Sequence, residues 1–217
     1  MTEWTVYALC AGKAVPFKGA EKSAFAKLPV SGPIAISFEG LEGDEQADRK
    51  HHGGPDMALH LYPADHHAFW HNQIGAHDLL QTPGAFGTNL AVSNIDEDQI
   101  HIGDQFRLGT ALIEVSQTRK PCWKIEHRFG HKDMVSAIIT SGRSGWYFRV
   151  LEEGSAAAGD ALERVAIGHE EWPVRRVFSA LFGPKSEARF SPQDFKTLAS
   201  LEKLSADHRS RAQARLS

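Results

Sequence analysis

The chain has 217 residues, enough for one well-buried domain of about 150 residues and a small addition. Its 24 basic side chains against 27 acidic ones leave a net charge of −3, which supplies no global field for nucleic acid or for an anionic membrane. No apolar run reaches the roughly 18 residues of a bilayer span, and Met1-Thr2-Glu3-Trp4 lacks the basic-then-apolar layout of a secretion signal, so a cytoplasmic location is expected.

Up to about residue 166, short apolar stretches alternate with Gly, Pro, Asn and Asp clusters, the punctuation of a β-rich domain. Strands are predicted at 4–10, 34–38, 58–62, 105–108, 111–116, 146–151 and 162–165. Cys10 closes the first and reads as core packing, and Gly109-Thr110 joins two of the others as a tight hairpin. Helices are predicted at 65–74 and at 132–139, where Met134, Val135, Ile138 and Ile139 share one face. After Gly168 the pattern turns helical. Val174, Val177, Phe178, Leu181 and Phe182 form an amphipathic stripe that Gly183-Pro184 ends. Ser191-Pro192 then caps a second helix that buries Phe195 and Leu198, and a more polar third segment covers 206–216. The fold class expected is mainly β with some α, a β domain over 1–166 followed by a small helical domain over 167–217.

Chemistry concentrates in a few places. Cys122 stands in Ser116-Gln117-Thr118-Arg119-Lys120-Pro121-Cys122, at the end of a predicted strand beside two cations that favour an anionic, metal-binding sulfur. The plainer reading of a single cysteine near a strand is a small buried hydrophobe. With two cysteines and no CxxC there is no disulfide framework. The densest polar cluster covers residues 40–56, where Arg49, Lys50, His51 and His52 precede Gly53-Gly54-Pro55-Asp56. Such a loop can cradle an anion such as a phosphate, although a Gly-Gly pair also reads as a solvated turn.

Seven of the twelve histidines fall between His51 and His77, and His67 and His71 have the i, i+4 spacing of a shared metal, yet no HExxH completes a zinc set. Asn89, in Gly87-Thr88-Asn89-Leu90, offers donors and acceptors to a heterocycle edge. In Gly142-Arg143-Ser144-Gly145-Trp146-Tyr147-Phe148, Arg143 suits an anion and Trp146 a pocket wall, with Tyr147 or Phe148 assigned to the core. A Walker loop, a GxGxxG after a strand and a GxSxG elbow are absent.

Six segments in order carry a resemblance: Leu41-Glu42-Gly43-Asp44-Glu45-Gln46, His52-Gly53-Gly54-Pro55-Asp56, Phe86-Gly87-Thr88-Asn89-Leu90, Gly103-Asp104, the Ser116 to Cys122 motif, and Gly145-Trp146-Tyr147-Phe148-Arg149-Val150. Together they resemble the MOSC domain family, in particular its stand-alone bacterial YiiM-like branch with a C-terminal three-helix extension, linked to resistance to 6-N-hydroxylaminopurine. One departure is Thr88, where the branch commonly carries a glutamate before the asparagine.

The resemblance implies a β-barrel domain that binds molybdenum cofactor, with Cys122 as catalytic residue and thiolate ligand to molybdenum. It implies cofactor contacts from Lys50, His52, Gly53, Gly54, Asn89, Arg119 and Trp146. The implied reaction is reduction of a small-molecule N-hydroxylated substrate. No flavin, haem or iron–sulfur motif is evident, so a separate electron-donating reductase is expected as a partner, and a homodimer is a further expectation. Two alternatives stay open: a cofactor-binding or sulfur-carrier module relaying a persulfide on Cys122 without its own turnover, and a zinc hydrolase built on the histidine-rich stretch.

Overall fold

The computed structural model describes residues 2–47, 53–184 and 190–216. In chain order it forms β1 (Thr2–Ala11), the hairpin β2 (Val15–Lys18) and β3 (Glu21–Ser23), then β4 (Leu28–Pro29), β5 (Ile34–Ser37) and β6 (Gly40–Leu41). A 3-10 turn at Pro55–Met57 precedes β7 (Leu59–Pro63), α1 (His66–Ile74), a second 3-10 turn at Asp78–Gln81, β8 (Leu90–Val92), β9 (Gln105–Leu108) and β10 (Ala111–Thr118). The chain continues as α2 (Trp123–Phe129), α3 (Met134–Ser141), β11 (Trp146–Glu152), β12 (Gly154–Ala156), β13 (Ala161–Ala166), α4 (Val174–Phe182), α5 (Pro192–Ser200) and α6 (Ala206–Gln213).

Seven strands close on themselves in the order β1-β13-β9-β10-β11-β7-β8 and back to β1. The pairings are antiparallel except that of β7 with β8. Closure follows from the period-2 pattern of the strands. One face of each carries apolar side chains such as Val6, Leu61, Leu90, Phe106, Val115 and Phe148, which fill the barrel interior. Closing the sheet also removes the unpaired edges that an open sheet would present. The predicted hairpin forms at Gly109-Thr110, where Gly109 takes φ 56° and joins β9 to β10.

A second apolar cluster, with Tyr62, Trp70, Phe86, Phe129, Ile138 and Phe178, lies among α1, α2, α3 and α4. The C-terminal helices share the barrel's own core, since Val177, Leu181, Leu198 and Leu204 cluster with the inward strand residues. Local signals set their ends. Ser191 and Asp194 form a reciprocal capping box at the start of α5, and Ser205 accepts from the His208 N–H at the start of α6. The Ser205 N–H donates to Ser116 O at 2.9 Å and Lys203 pairs with Glu114, so the link between α5 and α6 is tied to β10.

The predicted helices at 65–74 and 132–139 form as His66–Ile74 and Met134–Ser141, and the third C-terminal segment is helical to Gln213. Beyond the predicted elements the structure has α2, the β2–β3 hairpin and the short strands β4, β6, β8 and β12. Each is short, so its periodic pattern covers no more than about two turns or a few alternations. α2 also lacks a polar N-cap: Cys122 holds that position with no side-chain capping bond. Cys122 therefore stands beyond β10, which ends at Thr118, as the cap of a helix rather than the end of a strand.

Candidate functional site

The site is built on the outer face of the barrel wall. Gln117 on β10, Tyr147 on β11 and His60 on β7 are direct cross-strand neighbours and form one row. A strand alternates its side chains, so Trp146 and Phe148, on either side of Tyr147, point the other way and are fully buried in the barrel core. The expected cofactor contact at Trp146 is thus corrected. Tyr147 is the pocket wall, lying 4.8 Å from the His60 ring, and Trp146 is core.

Above this row lies a cavity, covered by residues 23–27, the 44–47 segment, the 86–89 turn and the start of α2. Phe25 forms part of the roof. Gly87, at φ 72°, lets that ring come within 3.0 Å of where a Cβ would stand. Lys27 Nζ donates to Asp44 Oδ2 at 2.6 Å and to Asn89 Oδ1 at 2.9 Å. Asn89 Oδ1 also accepts from the His60 N–H, and its Nδ2 donates to Cys10 O and to Asp44 Oδ2. Both donors and both lone pairs of this amide are therefore occupied. Asn89 lines the cavity, and its amide bonds hold Lys27 and Asp44 in place.

Arg119 follows β10 and lines the same cavity. Its backbone N–H donates to Gly145 O, its guanidinium lies 5.3 Å from the centre of the Phe25 ring, and its Nη1 is buried with no hydrogen-bond partner among the described residues. Burial pushes the Tyr147 hydroxyl above the ordinary tyrosine range, with Arg119 opposing, so the phenol stays protonated. Burial, reinforced by Arg119 and Lys27, pushes His60 well below the histidine range and keeps it neutral. Burial also pushes the Cys10 thiol up to about 11, so it is inert packing on the far side of Asn89.

Cys122 is the half-buried thiol at the mouth of this cavity, where the space widens into an open groove. Lys120, Lys124 and Tyr147 belong to both spaces. Gly53 and Gly54 line the groove with Cys122, and Gly54 takes φ 96°, a backbone form that favours glycine. This wall is held from below: Arg149 bonds Asp56 Oδ1 at 2.8 Å and Glu114 Oε1 at 2.8 Å, and Ser116 Oγ donates to Asp56 O. The opposite wall comes from α6, through Ser205, Asp207, His208 and Arg211. Lys50 and His52 lie outside the described residues.

The structure therefore brings Cys122, Arg119, Gly53 and Gly54 around one continuous space. It adds Lys27, Asp44, His60, Lys124, Tyr147 and α6, which sequence reasoning had not assigned to a site. Asp44 and Tyr147 lie within the family-like motifs, but the register of β10 and β11 decides that Tyr147 rather than Trp146 faces the cavity. Lys27 lies in no motif. Among the described residues no group of three or more His, Cys, Asp or Glu is placed to hold a metal ion. His67 is bonded to Leu80 O, and His66 is paired with Glu97 at 2.9 Å. The histidine-rich stretch thus offers no zinc ligand set among these residues. No helix among them is long and apolar enough to cross a membrane.

Comparison with known proteins agrees with this architecture. Residues 48–163 match the MOSC domain. Protein YiiM of Escherichia coli is 39% identical over 155 residues, covering 71% of this chain and 69% of that protein. A Gibberella moniliformis protein named "Reductase" is 36% identical over 156 residues, which cover 71% of this chain and 28% of that longer protein. The crystal structure of YiiM from Geobacillus stearothermophilus matches with a TM-score of 0.83 at 30% identity, covering 99% of this chain and 100% of that one. With a closed barrel, the ordered motifs around one cavity and relatives of this identity and coverage, the chain belongs to the MOSC domain family.

Proposed function

We propose that the chain binds molybdenum cofactor in the cavity beside Cys122 and reduces small N-hydroxylated compounds to the corresponding amines. The observation that carries this reading is the buried Nη1 of Arg119, unpartnered among the described residues, in the same cavity as a half-buried thiol. A buried cation with an empty donor is costly unless an anion meets it, and a soft sulfur suits molybdenum. The donor set thus fits a pterin dithiolene with a phosphate arm: Cys122 for the metal, Arg119 and Lys120 for anionic oxygens, and the Gly53-Gly54 backbone for close approach. The relative named as a reductase points the same way.

When bound, the cofactor supplies the two electrons that break the N–O bond, so that R–NHOH, two electrons and two protons give R–NH2 and water. The chain's own residues bind and orient. Tyr147, held protonated, offers a hydrogen-bond donor beside the reacting region, while neutral His60 supports its ring and adds no competing charge. Lys27 and Asp44, locked together by Asn89, keep the roof closed over the inner end of the cavity. Electrons come from a separate reductase.

The test is turnover of 6-N-hydroxylaminopurine by the cofactor-loaded chain with a chemical reductant. Steady turnover that is lost in Cys122→Ala is expected, and it would exclude a sulfur carrier without turnover. A loaded Cys122→Ala variant working at the parent rate would refute the assignment.

A further inference from the structure

Gln117 is 5% exposed, stands directly across the ladder from Tyr147, and opens on the groove that contains Cys122. Its neighbours on β10 are satisfied: Ser116 Oγ donates to Asp56 O and Tyr147 O, and Thr118 Oγ1 bonds Ser144 Oγ at 3.0 Å. The Gln117 amide makes no side-chain hydrogen bond among the described residues, yet it is not sealed off, because it lines the groove. An unpartnered amide in a buried wall calls for a bonding partner from outside the chain.

The chemistry of that partner follows from the amide and from the wall it faces. A glutamine side chain presents one acceptor and one donor side by side. This matches an amidine edge, in which a ring nitrogen accepts and the adjacent exocyclic nitrogen donates. Across the groove, Asp207 is bonded by Arg211 through Nε at 2.7 Å and Nη2 at 3.3 Å, so these opposite charges satisfy each other. His208, buried beside them, is neutral because burial outweighs the pull of Asp207. The α6 side of the groove thus suits a neutral, flat heterocycle, whereas Lys120 and Lys124, on the side shared with the inner cavity, suit an anion.

We infer that Gln117 is a specificity-determining residue that reads the amidine edge of an N-hydroxylated amino-heterocycle seated between β10 and α6, with the hydroxylated nitrogen on the Cys122 side. This rests on the proposed reductase reading. It further assigns α6 to the substrate site, since the groove has no outer wall without it.

The test uses two substrates and one inert probe on the full chain. 6-N-hydroxylaminopurine carries the amidine edge, phenylhydroxylamine does not, and adenine keeps the edge without a reducible bond. Gln117→Leu is expected to raise KM for 6-N-hydroxylaminopurine by about 10- to 100-fold, the discrimination of a two-bond amide contact, with kcat changed by less than about threefold. KM for phenylhydroxylamine should stay within about threefold of the parent. Calorimetry should show adenine binding weakened by the same factor in Gln117→Leu and in the isosteric Gln117→Glu, which lacks the donor; unchanged unfolding midpoints would verify folding.

Equal losses for both substrates, no adenine binding by the parent, or adenine affinity unchanged in both variants would overturn the inference. If the loaded parent reduces neither substrate but binds adenine in a Gln117-dependent way, the reductase reading fails and the subsite stands. If it reduces both and neither variant discriminates, the reverse holds.

Discussion

Lys27 and Asp44 meet at 2.6 Å in the cavity roof, and Asn89 bonds both of them while also holding the backbone at Cys10 and His60. Burial pulls the Lys27 ammonium below the ordinary lysine range and Asp44 pulls it back, so the pair depends on its partners being complete. Asn89→Ala removes two donors and an acceptor shared by four groups. It is expected to destabilise the fold by about 2–3 kcal/mol, the cost of leaving buried polar groups unpaired. Urea unfolding measures this, and a change below about 0.5 kcal/mol would contradict the role given to Asn89.

Strand parity separates Trp146 from Tyr147 with equal sharpness. Trp146 fills the barrel interior, so Trp146→Ala should cost about 3–5 kcal/mol of stability. Tyr147→Phe keeps the ring against His60 and removes only a hydroxyl that faces the cavity. It should change stability by less than about 1 kcal/mol while lowering turnover. Denaturation midpoints and steady-state rates for the two variants distinguish core from wall, and an equal stability loss in both would count against the assignment.

These two residues also mark what could be read from the chain alone. The long strands, α1, α3, α4 and the capped α5 were legible, because each repeats its apolar period over several residues or carries a cap such as Ser191-Pro192. The motif order pointed to Cys122, Arg119 and Gly53-Gly54. Which of two adjacent aromatics faces the core was not legible, since a one-residue shift of register exchanges the faces of a strand and β10 carries an irregularity between Val115 and Gln117. α2 leaves little signal because it is only about two turns long and has no polar cap. Lys27 and α6 reach the site only through tertiary packing.

Stability should fall on mild acidification. His60 and His208 are both held below the ordinary histidine range by burial. The unfolded chain takes up these protons near pH 6.5 and the folded chain does not, so stability declines as pH drops below about 6.5, by up to about 1.4 kcal/mol per pH unit for each histidine. Glu97 adds to the decline at lower pH. Burial alone would raise it, but His66, Arg175 and the Gly145 N–H hold it below the usual carboxylate range, and this stabilisation is lost as pH falls through its folded value. His60→Gln should reduce the slope between about pH 5 and 7 by one proton's share. Urea titrations at several pH values measure it; an unchanged slope would mean that His60 titrates normally.

The most direct test of the central claim is to purify the chain and its Cys122→Ala variant from a host that makes molybdenum cofactor, and to measure molybdenum content and oxidised-pterin fluorescence on the same samples. The account predicts both signals in a fixed ratio in the parent, with molybdenum lost or sharply reduced when the Cys122 sulfur is removed. A parent protein carrying neither molybdenum nor pterin would contradict it.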